Sequence, residues 1–131
     1  MKILSIDPAE KSGWSFRDTE KPSRNKSGME QIKAAKGESY DFRLKRYERW
    51  VLDLLLKYKP DYLLYERPTQ GHFQATRSHS NLESCILLAC NKYKDEYEFK
   101  LDHGNFAPMT IKAHAKKYSS IECKGSFNDE T

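Results

Sequence analysis

The sequence predicts an α/β domain built on a mixed five-stranded sheet, its elements running β-β-β-α-β-α-β-α with the helices packed on the sheet. Three observations carry this reading. Two short apolar runs, Lys2 to Ile6 and Asp61 to Tyr65, each lead into an acid, Asp7 or Glu66, followed within two residues by a proline that cannot continue a central ladder. Between Tyr40 and Lys59 the residues Leu44, Tyr47, Val51, Leu54, Leu55 and Tyr58 recur at spacings of three and four, which is one face of a helix. A helix between two such strands, with only a short turn before the second, is a crossover, and crossovers favour parallel strands in one sheet.

Taken in order, the first strand is Lys2 to Ile6, a buried run that delivers Asp7 at its carboxyl end. A turn over Glu10 to Gly13 sends the chain back as a second strand, Gly13 to Arg17, so the two form a hairpin. Asp18 to Ser27, with Lys21, Pro22, Arg24, Asn25 and Lys26, is polar and turn-rich and reads as an exposed loop. A third strand spans Gly28 to Ala34, and the helix Tyr40 to Lys59 ends at Pro60. The fourth strand then presents Glu66 before Arg67 and Pro68. Thr69 to Ser80 is polar and reads as a loop, leading into a helix over Leu82 to Tyr93 with Ser80 or Asn81 as its cap. Tyr97 to Leu101 is predicted as the fifth strand and Asp102 to Ala107 as a turn. Pro108 to Tyr118 is predicted as a last helix with proline in its first turn.

The chain of 131 residues is one domain in size, so a single site is expected. Hydrophobic residues at 37% against 32% charged exclude a disordered chain. A net charge of +4 favours approach to a polyanion without specifying one. There is no run of about 18 apolar residues to cross a membrane, and Met1 to Ile6 is too short for a signal peptide, so an intracellular, cytoplasmic protein is expected. Cys85, Cys90 and Cys123 lack metal-binding spacing and read as free thiols, the first two as core residues.

Asp7 and Glu66 carry the chemistry. Two carboxylates at the carboxyl ends of neighbouring parallel strands meet at one edge of the sheet, where open α/β sheets hold their ligands. Such a pair repels itself unless a cation sits between, and hard oxygen donors suit Mg2+ or Mn2+ better than zinc. A lone acid at a strand end is more often a cap or the partner of a lysine. The same geometry also serves phosphotransferases of the actin type, so spacing alone leaves the activity open.

The string Ile6-Asp-Pro-Ala-Glu-Lys-Ser-Gly-Trp14 resembles the opening of RuvC-type Holliday junction resolvases, in particular their phage-like branch. Pro60-Asp-Tyr-Leu-Leu-Tyr-Glu66 is similar to the family's next motif, and Pro108-Met-Thr-Ile-Lys112 to its proline-led helix start, in family order. The resemblance runs from Met1 to about Gly125. It implies a ribonuclease H-like fold, a homodimer, Mg2+ or Mn2+, and paired nicks across branched DNA during recombination and repair, in a bacterial or phage-infected cell. Carried over residue by residue, Asp7 and Glu66 fall on the first two catalytic, metal-holding acids, and Lys112 on a basic position near the DNA backbone. Phe73, in the loop after Glu66, is the candidate for the aromatic that the family places near the junction centre. One departure stands out. The family completes its metal site from a C-terminal helix after a Lys-Gly segment, whereas here Lys124-Gly125 is followed only by the residues to Thr131. A single domain over residues 1–131 without that helix is therefore expected, and the third and fourth ligands are unassigned.

Further DNA contacts are expected from Lys116, one turn from Lys112 on the same helix face, and from Arg77 beside Glu66. A lysine-rich helix is otherwise most often a solvated face, and His72, His79, His103 and His114 have ordinary polar or structural readings. Two functions compete with the nuclease. One is a junction-binding protein that keeps two acids without cleaving. The other is an actin-like phosphotransferase, which should show glycine-rich phosphate loops in two related halves; this chain with 6 glycines shows none.

Overall fold

In the computed structural model, residues 1–33, 36–66 and 73–106 are described, those at 73–79 and 105–106 by their backbone only. The strands are β1 (Lys2–Asp7), β2 (Lys11–Asp18), β3 (Lys26–Gln31), β4 (Tyr62–Glu66) and β5 (Asp102–Phe106). The helices are α1 (Tyr40–Tyr58) and α2 (Phe73–Asp95). The sheet runs β3-β2-β1-β4-β5, with β2 antiparallel to both β1 and β3 and β4 parallel to both β1 and β5. The mixed α/β architecture is thus the expected one. No helix among the described residues is long and apolar enough to cross a membrane.

Period-two alternation sorts the sheet into two faces. Leu4 and Ile6 of β1, Phe16 of β2, and Leu63 and Tyr65 of β4 are buried on one face. They meet Tyr47, Val51, Leu52 and Leu55 of α1 and Leu82, Ile86, Ala89, Cys90 and Tyr93 of α2 in one core. The α1 stripe read from the sequence is therefore the stripe that packs. Phe16 and Tyr58 stack at 4.7 Å and Trp14 lies 5.5 Å from the same ring, which fastens the end of α1 to the hairpin. The helix stops at Lys59, in the left-handed region at φ 47, whose N–H bonds to the Leu55 carbonyl at 2.8 Å.

Asp61 explains why three strands start level. Its carboxylate accepts the Lys2 N–H at 2.8 Å, its own N–H donates to the Lys2 carbonyl at 2.8 Å, and its carbonyl accepts the Asp102 N–H at 3.2 Å. One residue thereby ties β1, β4 and β5 at a common end, so their carboxyl ends also finish together.

Several boundaries differ from expectation. β2 is longer at both ends than Gly13 to Arg17, and β3 starts and ends earlier than Gly28 to Ala34. The segment Thr69 to Ser80 is not all loop, because α2 is already helical at Phe73. After Phe73 and Ala75 its first turns are polar and carry no apolar period, yet Phe73 to Asp95 contains neither glycine nor proline to stop a helix. The fifth strand is also displaced: Tyr97 to Leu101 is not a strand, and Asp102 to Phe106 is not a turn. Glu98 has φ 59, which breaks an extended run, while Phe99 stacks on Tyr93 at 4.8 Å and Leu101 enters the core. Those apolar residues cover the end of α2 instead of joining the ladder. The strand forms one step later despite its glycine, since a Cβ at Gly104 would come within 2.9 Å of the Tyr62 hydroxyl. The helix expected over Pro108 to Tyr118 lies outside the described residues.

Cys85 and Cys90 are free and buried, as expected of core residues. Burial pushes the Cys85 thiol up to about 11 and the Cys90 thiol up to about 12, so neither is a ready nucleophile.

Candidate metal centre at the strand ends

Asp7 is the last residue of β1 and Glu66 the last of β4. The parallel register pairs Leu4 with Leu63 and Ile6 with Tyr65, so Asp7 and Glu66 are each one step beyond the last pair. Since Ile6 and Tyr65 both turn into the core, alternation sends the next residue of each strand to the opposite face. The two acids therefore occupy the same end and the same face of adjacent strands, whose spacing in a sheet is about 4.8 Å. Asp7 is exposed and Glu66 half-buried, so both remain within reach of solvent and of a ligand.

The hairpin after Asp7 is held from below. Asp7 is paired with Gly13 across β1 and β2, and the turn between them is closed by Ser12. The Ser12 hydroxyl is fully buried; it donates to the Ala9 carbonyl at 2.7 Å, accepts the Ala9 N–H at 3.1 Å and lies 2.7 Å from the Tyr47 hydroxyl. The Tyr47 phenol is raised well above its ordinary value, foremost by burial, with the Ser12 hydrogen bond opposing and the Asp7 charge adding to the rise. It stays a neutral donor, close enough to Asp7 to feel its charge. Sequence patterns do not reveal this pair: Tyr47 reads there as part of the apolar stripe, and Ser12 as one polar residue in a turn.

The donor set suits a hard divalent cation. Two carboxylates with no sulfur and no histidine in the pair match the oxygen preference of Mg2+ and Mn2+. Among the described residues no third histidine, cysteine or acid joins them in a cluster. Of the other residues expected to act, Phe73 is the first residue of α2 and Arg77 lies about one turn further on, so both belong to the helix that follows β4. Their side chains, like Lys112 and Lys116 entirely, lie outside the described residues.

Comparison with solved structures places this architecture. The chain is similar to Thermus thermophilus RuvC in complex with a Holliday junction substrate, with a TM-score of 0.64 at 17% identity over 86% of this chain and 68% of that one. It is similar to another structure of Thermus thermophilus RuvC at a TM-score of 0.62 and 18% identity, over 99% of this chain and 74% of that one. The yeast mitochondrial Holliday junction resolvase Ydc2 gives 0.58 and 16%, over 93% of this chain and 63% of that one. The chain thus shares the α/β fold of these RuvC and Ydc2 structures. No family model and no curated protein matches the sequence.

Proposed function

We propose that this chain is a metal-dependent endonuclease that resolves branched DNA, four-way junctions above all, by paired symmetric nicks. The observation that carries the reading is the placement of Asp7 and Glu66 at the matching ends of adjacent parallel strands. The fold supports it, since a neighbour of that fold is bound to a Holliday junction substrate. A bound Mg2+ or Mn2+ would supply an activated water and offset the charge on the leaving oxygen. Asp7 and Glu66 would hold it, and the rigid β1–β4 ladder would fix the two carboxylates relative to each other. Without a cation these acids repel a phosphate, so the same residues make cleavage and productive approach depend on metal. Lys112, Lys116, Arg77 and Phe73 are the proposed DNA contacts, the cations toward phosphates and Phe73 toward the junction centre.

The test is nicking of synthetic four-way, flap and RNA-DNA hybrid substrates with and without Mn2+. Symmetric nicks in the four-way junction that require the metal are expected. Junction binding without any nicking would instead identify a binding protein, and cleavage confined to the hybrid would place the activity elsewhere among ribonuclease H-like enzymes.

Two symmetric cuts need two sites related by a two-fold axis, so the active form is proposed to be a homodimer. Most apolar residues of α2 are spent on the core, but Leu88 remains 52% exposed on its outer side. Leu88 is the proposed centre of the self-complementary contact across that axis. Leu88→Glu should shift the protein from dimer to monomer in light scattering while leaving its melting temperature nearly unchanged. A monomeric parent at high concentration would defeat the proposal.

A further inference from the structure

We propose that Ser12 and Tyr47 are positioning residues for Asp7, locking the turn behind it so that its carboxylate is held ready for the cation. This rests on the reading of Asp7 as a metal ligand, and deepens it.

Proton counting fixes the direction of the network. A serine hydroxyl has one proton and two lone pairs. Ser12 gives its proton to the Ala9 carbonyl at 2.7 Å and accepts the Ala9 N–H at 3.1 Å, so the Tyr47 hydroxyl at 2.7 Å must donate to the remaining lone pair. Ser12 is then saturated, and both polar groups of the Ala9 backbone are held by one side chain. Pro8 leaves little freedom between Ala9 and Asp7, because its ring fixes its own φ and confines the preceding residue to extended conformations. A constraint on Ala9 is thus transmitted to Asp7. The far side of the turn is also tied, since the Glu10 carbonyl accepts the Ile32 N–H at 3.1 Å.

Tyr47 supplies the anchor. It is fully buried on α1 and packs edge-on against Trp50 at 5.3 Å, so its hydroxyl has a fixed position relative to the core. A buried hydroxyl pair is not needed to fill this space, because an apolar pair of similar shape can be nearly neutral in stability. What the hydroxyls add is geometry: they connect the fully buried face of α1 to the turn that follows the exposed acid.

The experiment measures Mn2+ binding to the full chain by titration calorimetry, alongside thermal melting, for the parent, Tyr47→Phe, Ser12→Ala, Ser12→Thr and Asp7→Asn. Ile86→Val, a core change away from the turn, serves as a control of comparable destabilisation. Tyr47→Phe and Ser12→Ala should each weaken Mn2+ binding about tenfold, as loss of supporting hydrogen bonds around a metal ligand typically does. Ser12→Thr, which keeps the hydroxyl, should restore it, and Ile86→Val should bind as the parent does. Parental affinity in both Tyr47→Phe and Ser12→Ala, together with loss in Asp7→Asn, overturns the positioning role alone. A parent that binds no Mn2+, or an Asp7→Asn variant that binds it fully, overturns the metal-site reading and this inference with it.

Discussion

Replacing Asp7 by Asn, or Glu66 by Gln, is expected to lower nicking of a four-way junction by more than about a hundredfold while junction binding survives. Residues that merely orient a metal ligand already cost about 10- to 100-fold when lost, so a direct ligand should cost more. Each substitution keeps the shape and the hydrogen-bonding capacity of the side chain and removes one negative charge from the donor set. Fold stability should change little, because both residues stand at strand ends on the face away from the core. Binding measured without divalent cation should hold or tighten, since neutralising one of two acids beside a phosphate relieves repulsion. Lys112→Ala is the contrasting variant: it should weaken binding and flatten its salt dependence by about one counterion. Undiminished nicking by either acid variant would remove these residues from the mechanism, and joint loss of binding, nicking and melting temperature would show a structural role.

The parts legible in the sequence were those set by short-range rules. The stripe Leu44, Tyr47, Val51, Leu55 announced α1, and the apolar runs stopped by Asp7-Pro8 and Glu66-Arg67-Pro68 announced two central strands; their parallel pairing followed from the crossover. Those runs also put Asp7 and Glu66 at the strand ends they occupy. What escaped is governed by tertiary contacts. From Thr76 to Asn81 the start of α2 is polar, so no apolar period marks it. Within the alternating stretch Tyr97 to Leu101, Phe99 stacks on Tyr93 at the end of α2, and the ladder is completed by Asp102 to Phe106, whose His-Gly-Asn centre has poor strand propensity. Asp61 mattered more than its place at a strand start suggested, because its three bonds set the common origin of β1, β4 and β5. The Ser12–Tyr47 hydroxyl pair joins residues 35 apart in the chain, a separation that no local pattern reports.

Leu63→Ala is the stability counterpart, with an expected loss of about 2–5 kcal/mol. Leu63 is fully buried on β4, opposite Leu4 of β1 and His103 of β5, and its side chain enters the core shared with α1 and α2. A close-packed interior cannot collapse fully onto the vacated volume, so the lost transfer energy is joined by a cavity term. Against a total stability of about 5–15 kcal/mol for a domain this is a large fraction, enough to lower the melting temperature by on the order of 10 °C. The neighbouring Leu64→Ala deletes the same atoms one residue along. Leu64 is only half-buried on the opposite face, so its loss should cost less than half as much. Denaturant or thermal melts of the two variants test the alternation that also places Glu66 two residues beyond Leu64 on that same open face. Equal destabilisation by both would mean that β4 is packed as tightly on its second face as on its first, and that Glu66 cannot be presented to a ligand as argued.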